Sequence, residues 1–216
     1  MSISLDTALL YDTTPVVTED AKPELPPEAL DDRALVTHAQ TGDVQAFEEL
    51  VRRYRNQVFA LSFHFVHNRE EAWDLSQEVF VKAYRSLRRF RGDASFKTWL
   101  MRITANQSKD FLKKRRLRTV SLDDEIGKRL PSGTAGPDEG VAAQELGAAI
   151  EQAVRTLPPK HRTVFVLREY EGLSYQEIAE VMQCNVGTVM SRLHHARRKL
   201  QSKLIKMGVV EQEDHA

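Results

Sequence analysis

Residues 174–200, SYQEIAEVMQCNVGTVMSRLHHARRKL, decide the fold of the C-terminal part of the chain. Ser174 and Glu177 have the spacing of a capping box, which opens a helix. The polar stretch Gln183-Cys184-Asn185 then interrupts that helix, and the Asn185 side chain can cap a second one. The buried face of the second helix is formed by Val186, Val189, Leu193 and Leu200. Two helices joined by a tight turn predict a helix-turn-helix, whose second helix enters the major groove of DNA.

The opposite face of the second helix carries hydroxyl, imidazole and guanidinium groups. Such groups can bond to base edges and to phosphates. A charged helix face is often only solvated, but here it follows a short capped helix and a tight turn, which favours DNA recognition. The predicted contacts with bases and nearby phosphates are Thr188, Ser191, Arg192, His194 and His195. The predicted phosphate contacts are Arg197, Arg198 and Lys199.

The charge of the 216-residue chain is zero overall but divided into blocks of opposite sign. Residues 1–32 hold one Lys against eight Asp or Glu, whereas residues 33–118 hold 18 basic against 9 acidic residues. Residues 119–148 are again acidic, and residues 149–205 carry 9 basic against 5 acidic side chains. Two basic blocks separated by acidic stretches that contain Gly and Pro suggest two polyanion-binding domains on a flexible connection.

The hydrophobic periodicity is helical throughout, so we predict an all-α protein of two small domains joined by a flexible linker. The predicted segments are an acidic disordered leader (1–32), a helical domain (33–117), a flexible linker (118–140), a helix-turn-helix domain (141–206) and a tail (207–216). In the first domain, Asp43, Asn68 and Ser95 are predicted helix caps. Two apolar stripes follow the first two caps. They are formed by Phe47, Leu50, Val51, Tyr54, Val58, Leu61 and Phe65, and by Ala72, Leu75, Val79, Phe80, Ala83, Tyr84 and Leu87.

Composition limits the compartment and the chemistry. Cys184 is the only cysteine, so neither an intrachain disulfide nor a cysteine zinc site is possible. The N-terminal residues show no basic segment followed by an apolar one, and no stretch approaches the roughly 20 apolar residues that span a bilayer. We therefore expect a cytoplasmic protein with no membrane insertion, no metal and no cofactor.

The two helical blocks together resemble the small two-domain sigma factors of bacterial RNA polymerase, the extracytoplasmic-function (ECF) group of the sigma-70 family. The resemblance covers residues 34–204. In the first block it lies in TGDVQAFEELVRRYRNQVF, NREEAWDLSQEVFVKAYRSL and FRGDASFKTWLMRITANQSKDFLKKRR. In the second it lies in LPPKHRTVFVLREYEGLSYQEIAEVMQCNVGTVMSRLHHARRKL.

This resemblance implies roles for the first domain, as sigma region 2. The helix with Asp74, Gln77, Glu78 and Phe80 is expected to bind the clamp helices of the largest polymerase subunit, and its mixed polar and aromatic character suits a protein interface. The loop Arg91, Gly92, Asp93, Ala94 and Ser95 is expected to capture a base flipped from the minus-ten element. The residues expected along the non-template strand are Trp99, Arg102, Asn106, Lys109, Lys113 and Lys114. Trp99 can equally be a core residue beside Phe96, Leu100 and Ile103.

For the second domain, as sigma region 4, the resemblance implies that the recognition helix binds the minus-thirty-five element and that the preceding helix contacts the polymerase flap. The expected partners are core RNA polymerase, promoter DNA and an anti-sigma factor. Gln183 stands where relatives commonly have Gly, and a left-handed non-Gly residue costs about 1 kcal/mol. Met190 occupies an often basic position, and His194-His195 replaces an often aromatic-then-basic pair, so promoter preference is expected to differ.

Two other functions are compatible with parts of the sequence. A simple helix-turn-helix regulator with a sensory N-terminal domain would not need a basic first domain with a lysine-rich helix. A metal-dependent hydrolase could use His64, His67, Asp74 and Glu78, since each pair can share a helix face. No glycine-rich phosphate loop or nucleophile motif accompanies these four residues. A binding protein that melts DNA without covalent chemistry, and is not an enzyme, explains the sequence better.

Overall fold

The computed structural model describes residues 26–121 and 141–210, and every regular element in these two ranges is a helix. The predicted all-α class is therefore confirmed. In the described ranges, no helix is both long enough and apolar enough to cross a membrane.

The first domain contains four α-helices after a 3-10 turn at Pro27–Ala29. They are α1 (Asp32–Thr41), α2 (Val44–Val66), α3 (Arg69–Leu87) and α4 (Phe96–Ser121). Asp43 and Asn68 cap α2 and α3 as predicted, because their side chains accept hydrogen bonds from Ala46 N at 3.1 Å and Glu71 N at 3.0 Å. Ser95 caps α4, since its Oγ accepts from Thr98 N at 3.0 Å.

The core of the first domain lies where α2, α3 and α4 pack on one another, with α1 across α2. Its fully buried side chains include Leu50, Leu61, Leu75 and Leu100. The buried Glu49 carboxylate binds Arg52 and Arg53, and Arg53 Nη1 also donates to Asp32 Oδ1 at 2.9 Å. Together these bonds fix α1 against α2.

Helix α1 and the residues before it differ from the sequence expectation. Disorder was expected up to residue 32, but residues 26–32 are ordered, and Leu30 O accepts a 2.7 Å bond from Arg53 Nη2. Residues 1–25 of the expected leader lie outside the described residues. Helix α1 was not predicted, although it buries Leu35, Val36 and Ala39 and ends at Gly42 with φ 107°. Helix α4 also continues to Ser121, beyond the lysine and arginine run at 113–116 where its apolar period ends.

The second domain contains α5 (Val141–Arg155), α6 (Pro159–Glu169), α7 (Tyr175–Met182) and α8 (Val186–Lys206). Helix α8 ends at Lys206, and residues 122–140 of the expected linker and 211–216 of the expected tail lie outside the described residues. The core between these helices includes Leu167, Ile178, Val189 and Leu193, each at most 2% exposed.

The two domains contact each other. Helix α4 of the first domain packs on α7 of the second, and α2 packs on α6. The N-terminal end of α4 therefore faces the helix-turn-helix unit, and the C-terminal end of α2 faces α5 and α6.

Candidate nucleic-acid and polymerase interfaces

Four local hydrogen bonds define the helix-turn-helix. Ser174 Oγ accepts from Glu177 N at 3.3 Å, and Glu177 Oε2 accepts from Ser174 N at 2.9 Å, which confirms the capping box. Asn185 Oδ1 accepts from Thr188 N and from Thr188 Oγ, both at 2.7 Å. Gln183 has φ 52°, so it does occupy the left-handed position between the helices. The turn thus holds α8 at a fixed angle to α7.

The predicted DNA-contacting face of α8 lies mostly in solvent. Its exposed members are Ser191, His194, His195, Arg197, Arg198 and Lys199, while Thr188 and Arg192 are half-buried. Two of the cations already have partners in this arrangement. Arg197 Nη2 lies 2.6 Å from Glu169 Oε1, and Arg192 Nη1 donates to Cys184 Sγ at 3.7 Å. Binding to phosphate would require Arg197 to exchange one anionic partner for another.

The C-terminal half of α8 extends the basic face further than the sequence prediction did. Arg198 and Lys199 line a groove together with Ser202, Lys203 and Lys206. The last three residues were missed, because the resemblance ends near Leu204 and no motif marks them. Their spacing of three, four and seven from Lys199, which keeps them on one helix face, was the available signal. Met190, nearer the other end of α8, is 53% exposed among polar residues.

The loop Arg91–Ser95 lies between α3 and α4, and a side chain of α1 bonds to the backbone just before it. Gln40 Nε2 donates to Leu87 O and to Phe90 O, both at 2.9 Å. Gly92 has φ 77°, which permits the sharp turn. Arg91, Gly92, Asp93 and Ser95 are exposed, and Ala94 is half-buried.

A cleft beside this loop is lined by Asp93, Trp99 and Arg102 of the first domain and by Glu180 of α7. Ser95 is not among the residues that line this cleft, and its Oγ caps α4 and lies 2.8 Å from Thr98 Oγ1. Asp93 is exposed, so it is the better candidate for contact with a base edge.

Trp99 occupies the core position that the sequence left open as an alternative to base stacking. It is 9% exposed, and its ring centroid lies 5.0 Å from that of Phe90 and 5.6 Å from that of Phe96. Trp99 also lines the cleft, so its contact with the DNA strand stays a prediction.

The other side chains predicted to follow the DNA strand continue along α4. Arg102 and Asn106 are half-buried, and Lys113 and Lys114 are exposed. Lys109 stands near Cys184 and Arg192 of the second domain, and burial lowers its pKa. The second domain therefore borders the middle of this predicted strand-binding helix.

The predicted polymerase-binding residues lie on α3 as expected, with Asp74, Gln77 and Glu78 exposed and Phe80 half-buried. The sequence prediction of this interface missed three large apolar neighbours, one of which, Tyr84, had been assigned to the apolar stripe of α3. They are Trp73 (59% exposed), Val81 (50%) and Tyr84 (46%). Tyr84 belongs to the apolar stripe of α3, yet it is only partly covered. Its ring contacts Phe47 at 4.9 Å on one side only, so the other side remains in solvent.

Two polar contacts join the start of α4 to the second domain. Lys97 Nζ donates to Glu171 O at 2.6 Å and lies 3.7 Å from Glu171 Oε2. Burial raises the pKa of Glu171, an effect that Lys97 partly offsets. Thr98 Oγ1 donates to Glu177 Oε1 at 2.8 Å. Although burial acts to raise it, hydrogen bonds from Ser174 and Thr98 keep the pKa of Glu177 below its usual value.

The four residues of the hydrolase alternative do not form a ligand set. Across residues 26–121 and 141–210, no group of three or more His, Cys, Asp or Glu side chains is placed to hold a metal ion. His64 instead stacks near Tyr170 of the second domain, with ring centroids 5.5 Å apart. Asp74 and Glu78 lie on the exposed face of α3.

Comparison with known proteins agrees with this arrangement. The family model for Sigma-70 region 2 matches residues 50–118, and that for Sigma-70 region 4 matches residues 147–200. The chain is 42% identical over 180 residues to the RNA polymerase sigma-H factor of Pseudomonas aeruginosa, covering 80% of this chain and 93% of that protein. It is 40% identical over 184 residues to the ECF RNA polymerase sigma-E factor of Escherichia coli K12, covering 82% of this chain and 96% of that protein.

Two solved structures share the fold. The sigma factor RpoE of Bartonella quintana, solved in complex with the anti-sigma factor NepR, matches with a TM-score of 0.67 at 22% identity, over 78% of this chain and 100% of that one. CnrH, solved in complex with the cytosolic domain of CnrY, matches with a TM-score of 0.61 at 27% identity, over 81% of this chain and 97% of that one. With both regions matched in order and relatives aligned along nearly their whole length, the chain belongs to the sigma-70 family, in the ECF group of RNA polymerase sigma factors.

Proposed function

We propose that this sigma factor binds core RNA polymerase through α3, reads the minus-thirty-five element with α8, and melts DNA at the minus-ten element with the loop Arg91–Ser95. The observation that carries the proposal is the presence, on one chain, of two separate faces whose chemistry suits DNA. One is the exposed basic face of α8, and the other is the loop and cleft at the head of the lysine-rich α4.

The exposed stripe on α3 supports the polymerase contact. Trp73, Val81 and Tyr84 are large apolar groups in solvent, and they lie beside the carboxylates of Asp74 and Glu78. Protein interfaces combine aromatic anchors with charged residues that set the register. We therefore extend the predicted interface from Asp74, Gln77, Glu78 and Phe80 to these three neighbours. A contact of α7 with the polymerase flap stays a prediction.

Melting in this proposal is a binding process that needs no cofactor and no covalent chemistry. A base that leaves the stack costs a few kcal/mol, and trapping it in a pocket offsets that cost. The cleft beside Asp93 offers a carboxylate and the Arg102 guanidinium, which can accept from and donate to a base edge. The site of action would be the cytoplasm, where promoter DNA and polymerase are found.

The docked arrangement of the domains is incompatible with simultaneous binding to both elements. The element names place them about 25 base pairs apart, which at about 3.4 Å per pair is roughly 85 Å of duplex. Here, by contrast, Thr98 at the head of α4 and Glu177 of α7 are hydrogen-bonded at 2.8 Å. We infer that the domains separate when the promoter is bound, and that the linker then holds two weak contacts together as one strong one.

An anti-sigma factor is proposed as the regulator. CnrH, a structural relative at 27% identity, was solved with the cytosolic domain of CnrY bound. A regulator of that kind would suit this chain, because α3 presents an apolar stripe that an inhibitor and the polymerase could compete for.

The first test is transcription with purified core polymerase. We expect the chain to direct a run-off transcript from a selected promoter, whereas a simple helix-turn-helix regulator would not make core polymerase promoter-specific. Asp93→Ala, alone and with Ser95→Ala, should then change base preference at the minus-ten element. The single variant is cleaner, because Ser95 also caps α4 and its loss costs about 1 kcal/mol.

The matched control for this test is Asp110→Ala, which removes an exposed carboxylate from α4, the helix that follows the loop, away from the cleft. It should leave the preference unchanged. If Asp93→Ala selects the same minus-ten sequences as the unmodified chain, the pocket assignment is wrong, although promoter-directed transcription could still hold.

A further inference from the structure

Two histidines at the C-terminal end of α2 lie in the contact between the domains. The His64 ring faces the Tyr170 ring at 5.5 Å, and the neighbouring Phe63 ring lies 5.6 Å below the Arg155 guanidinium. His67, which ends α2, packs edge-on against Phe63 with ring centroids 6.4 Å apart. Tyr170 and Arg155 belong to the second domain, so both imidazoles are covered when the domains dock.

The ring nitrogens of His67 are buried without hydrogen bonds to the described residues. Its Nδ1 and Nε2 are both buried and, among the residues that the structure describes, neither has a hydrogen-bond partner. Arg155 Nε is in the same condition. Buried polar atoms usually find partners, so a cluster that leaves three unbonded is held together by packing rather than by polar bonds. If an imidazole in this contact were protonated, its new N–H would find no free hydrogen-bond acceptor beside it.

The charged groups around the imidazoles come from two helices. From α5, Glu151 and Arg155 face the pair; from α6, Arg162 does, and Tyr170 follows that helix. Glu151 is the one acid among them, and it is already paired with Arg155 at 2.6 Å. Arg162 is 8% exposed, and its Nη1 donates to Arg155 O at 3.1 Å. The surroundings are therefore apolar and net cationic.

The pKa values follow from these surroundings. Burial lowers the pKa of His64 to about 4, with Glu151 opposing and Arg162 and Arg155 adding to the shift. Burial also lowers the pKa of His67 to about 4, again helped by Arg162 and Arg155. When the domains separate, both imidazoles return to water, where a histidine titrates near 6.5.

We propose that His64 and His67 make the contact between the two domains sensitive to protons: the domains stay docked while both imidazoles are neutral and separate when the imidazoles are protonated. A proton on either ring would be buried beside two guanidinium groups with no free carboxylate to receive it. The open form accepts the same proton at no such cost, so acidification shifts the population toward it. Acidification would thereby move α7, with Glu180, away from the cleft beside the minus-ten loop.

The sign and size of the effect follow from linkage. Both pKa values are lower in the docked form than in the open form, so docking is fully favoured above about pH 6.5 and weakens as the pH falls toward 4. Between pH 7.5 and pH 5.5, each histidine should lower the docking constant roughly tenfold. Glu171, at the other end of the contact, acts in the opposite direction, because burial raises its pKa and protonation would favour docking.

The test is energy transfer between two dyes on the full chain. Gln45 on α2 and Gln201 on α8 are exposed, so Gln45→Cys and Gln201→Cys in a Cys184→Ser background carry the dyes without touching the contact. We expect high transfer at pH 7.5 that falls as the pH is lowered to 5.5, while helicity stays constant. The variant His64→Gln with His67→Asn should remain docked over the same range, since neither replacement takes up a proton. Asn also tolerates the left-handed φ of 55° at position 67.

Two further variants separate this mechanism from general acid effects. His38→Gln removes a histidine of α1 that faces Asp43, and it should open with the unmodified chain's pH profile. Arg155→Met removes a facing cation, so opening should move to lower pH. The proposal is overturned if transfer is unchanged between pH 7.5 and 5.5, if it is already low at pH 7.5, or if the double histidine variant opens with the same profile as the unmodified chain. None of these outcomes depends on which promoter the protein reads.

Discussion

Replacing Thr98 by valine should weaken the docking of the two domains, and within the first domain it removes only the contact with Ser95 Oγ. Thr98 is 1% exposed, and its Oγ1 donates to Glu177 Oε1 at 2.8 Å across the contact. Valine keeps the shape of threonine but leaves the carboxylate without this donor. A hydrogen bond to a charged group is worth about 1.5–3 kcal/mol, and the lower end applies because Glu177 is half-buried and keeps its bonds from Ser174. The docking constant should therefore fall roughly tenfold.

The measurement is energy transfer on the same dye-labelled chain at pH 7.5, with added urea below the unfolding transition to bring the docked and open forms into comparable populations. Thr104→Val is the matched control: Thr104 is also buried on α4, but its Oγ1 donates to Leu100 O of its own helix at 2.9 Å. Thr98→Val should open at lower urea than Thr104→Val. Equal opening in the two variants, or a change in docking smaller than about twofold, would refute the role given to this bond.

The same variant has a consequence for DNA binding that rests on the proposed function. Apparent affinity is reduced by the fraction of molecules in the binding-competent state, so a larger open fraction should tighten binding to promoter DNA in proportion. Thr98 is buried and does not line the cleft, so a gain in affinity could not come from a new DNA contact.

Two other predictions concern the helix-turn-helix. Gln183→Gly should raise the free energy of unfolding by about 0.5–1 kcal/mol, because Gln183 has φ 52° and glycine adopts the left-handed region without strain; an unchanged or lower urea midpoint would contradict this. Met190→Lys should add about one unit to the slope of log affinity against log salt concentration for promoter DNA, because Met190 is 53% exposed on the helix proposed to contact DNA and a lysine there would neutralise one more phosphate. A salt slope equal to that of the unmodified chain would place residue 190 away from the backbone of the DNA.

The helix caps could be predicted because they are local. Asp43, Asn68, Ser174 and Asn185 each bond to a backbone N–H three residues ahead, and both partners lie within one turn of chain. The strained turn at Gln183 was predictable for the same reason, since a short break between two capped helices leaves few backbone conformations.

Residues whose surroundings are set by distant parts of the chain were harder to place. Tyr84 has the spacing of a core residue on α3, but α1 and α2 cover only one side of its ring, so it remains 46% exposed. Trp99 was ambiguous because a large aromatic suits both a core and a base-stacking surface. In the structure Trp99 is largely buried, because Phe90, which precedes the loop, packs against its indole ring. Periodicity reports which side of a helix is apolar, but not whether another helix reaches it.

The contact between the domains was not predictable, because each residue in it already had a sufficient local explanation. Glu177 completes the capping box of α7, so nothing in the sequence called for a second donor from Thr98. His64 and His67 lie near the end of an amphipathic helix, where histidines are ordinarily solvated. Charge patterning even argued for separation, since both domains are basic and should repel each other. What opposes that repulsion is short-ranged: apolar packing around Phe63 and a few polar bonds such as Lys97 to Glu171. A contact in which short-range packing works against long-range repulsion is one that we expect a few protons, a bound polymerase or a length of DNA to open.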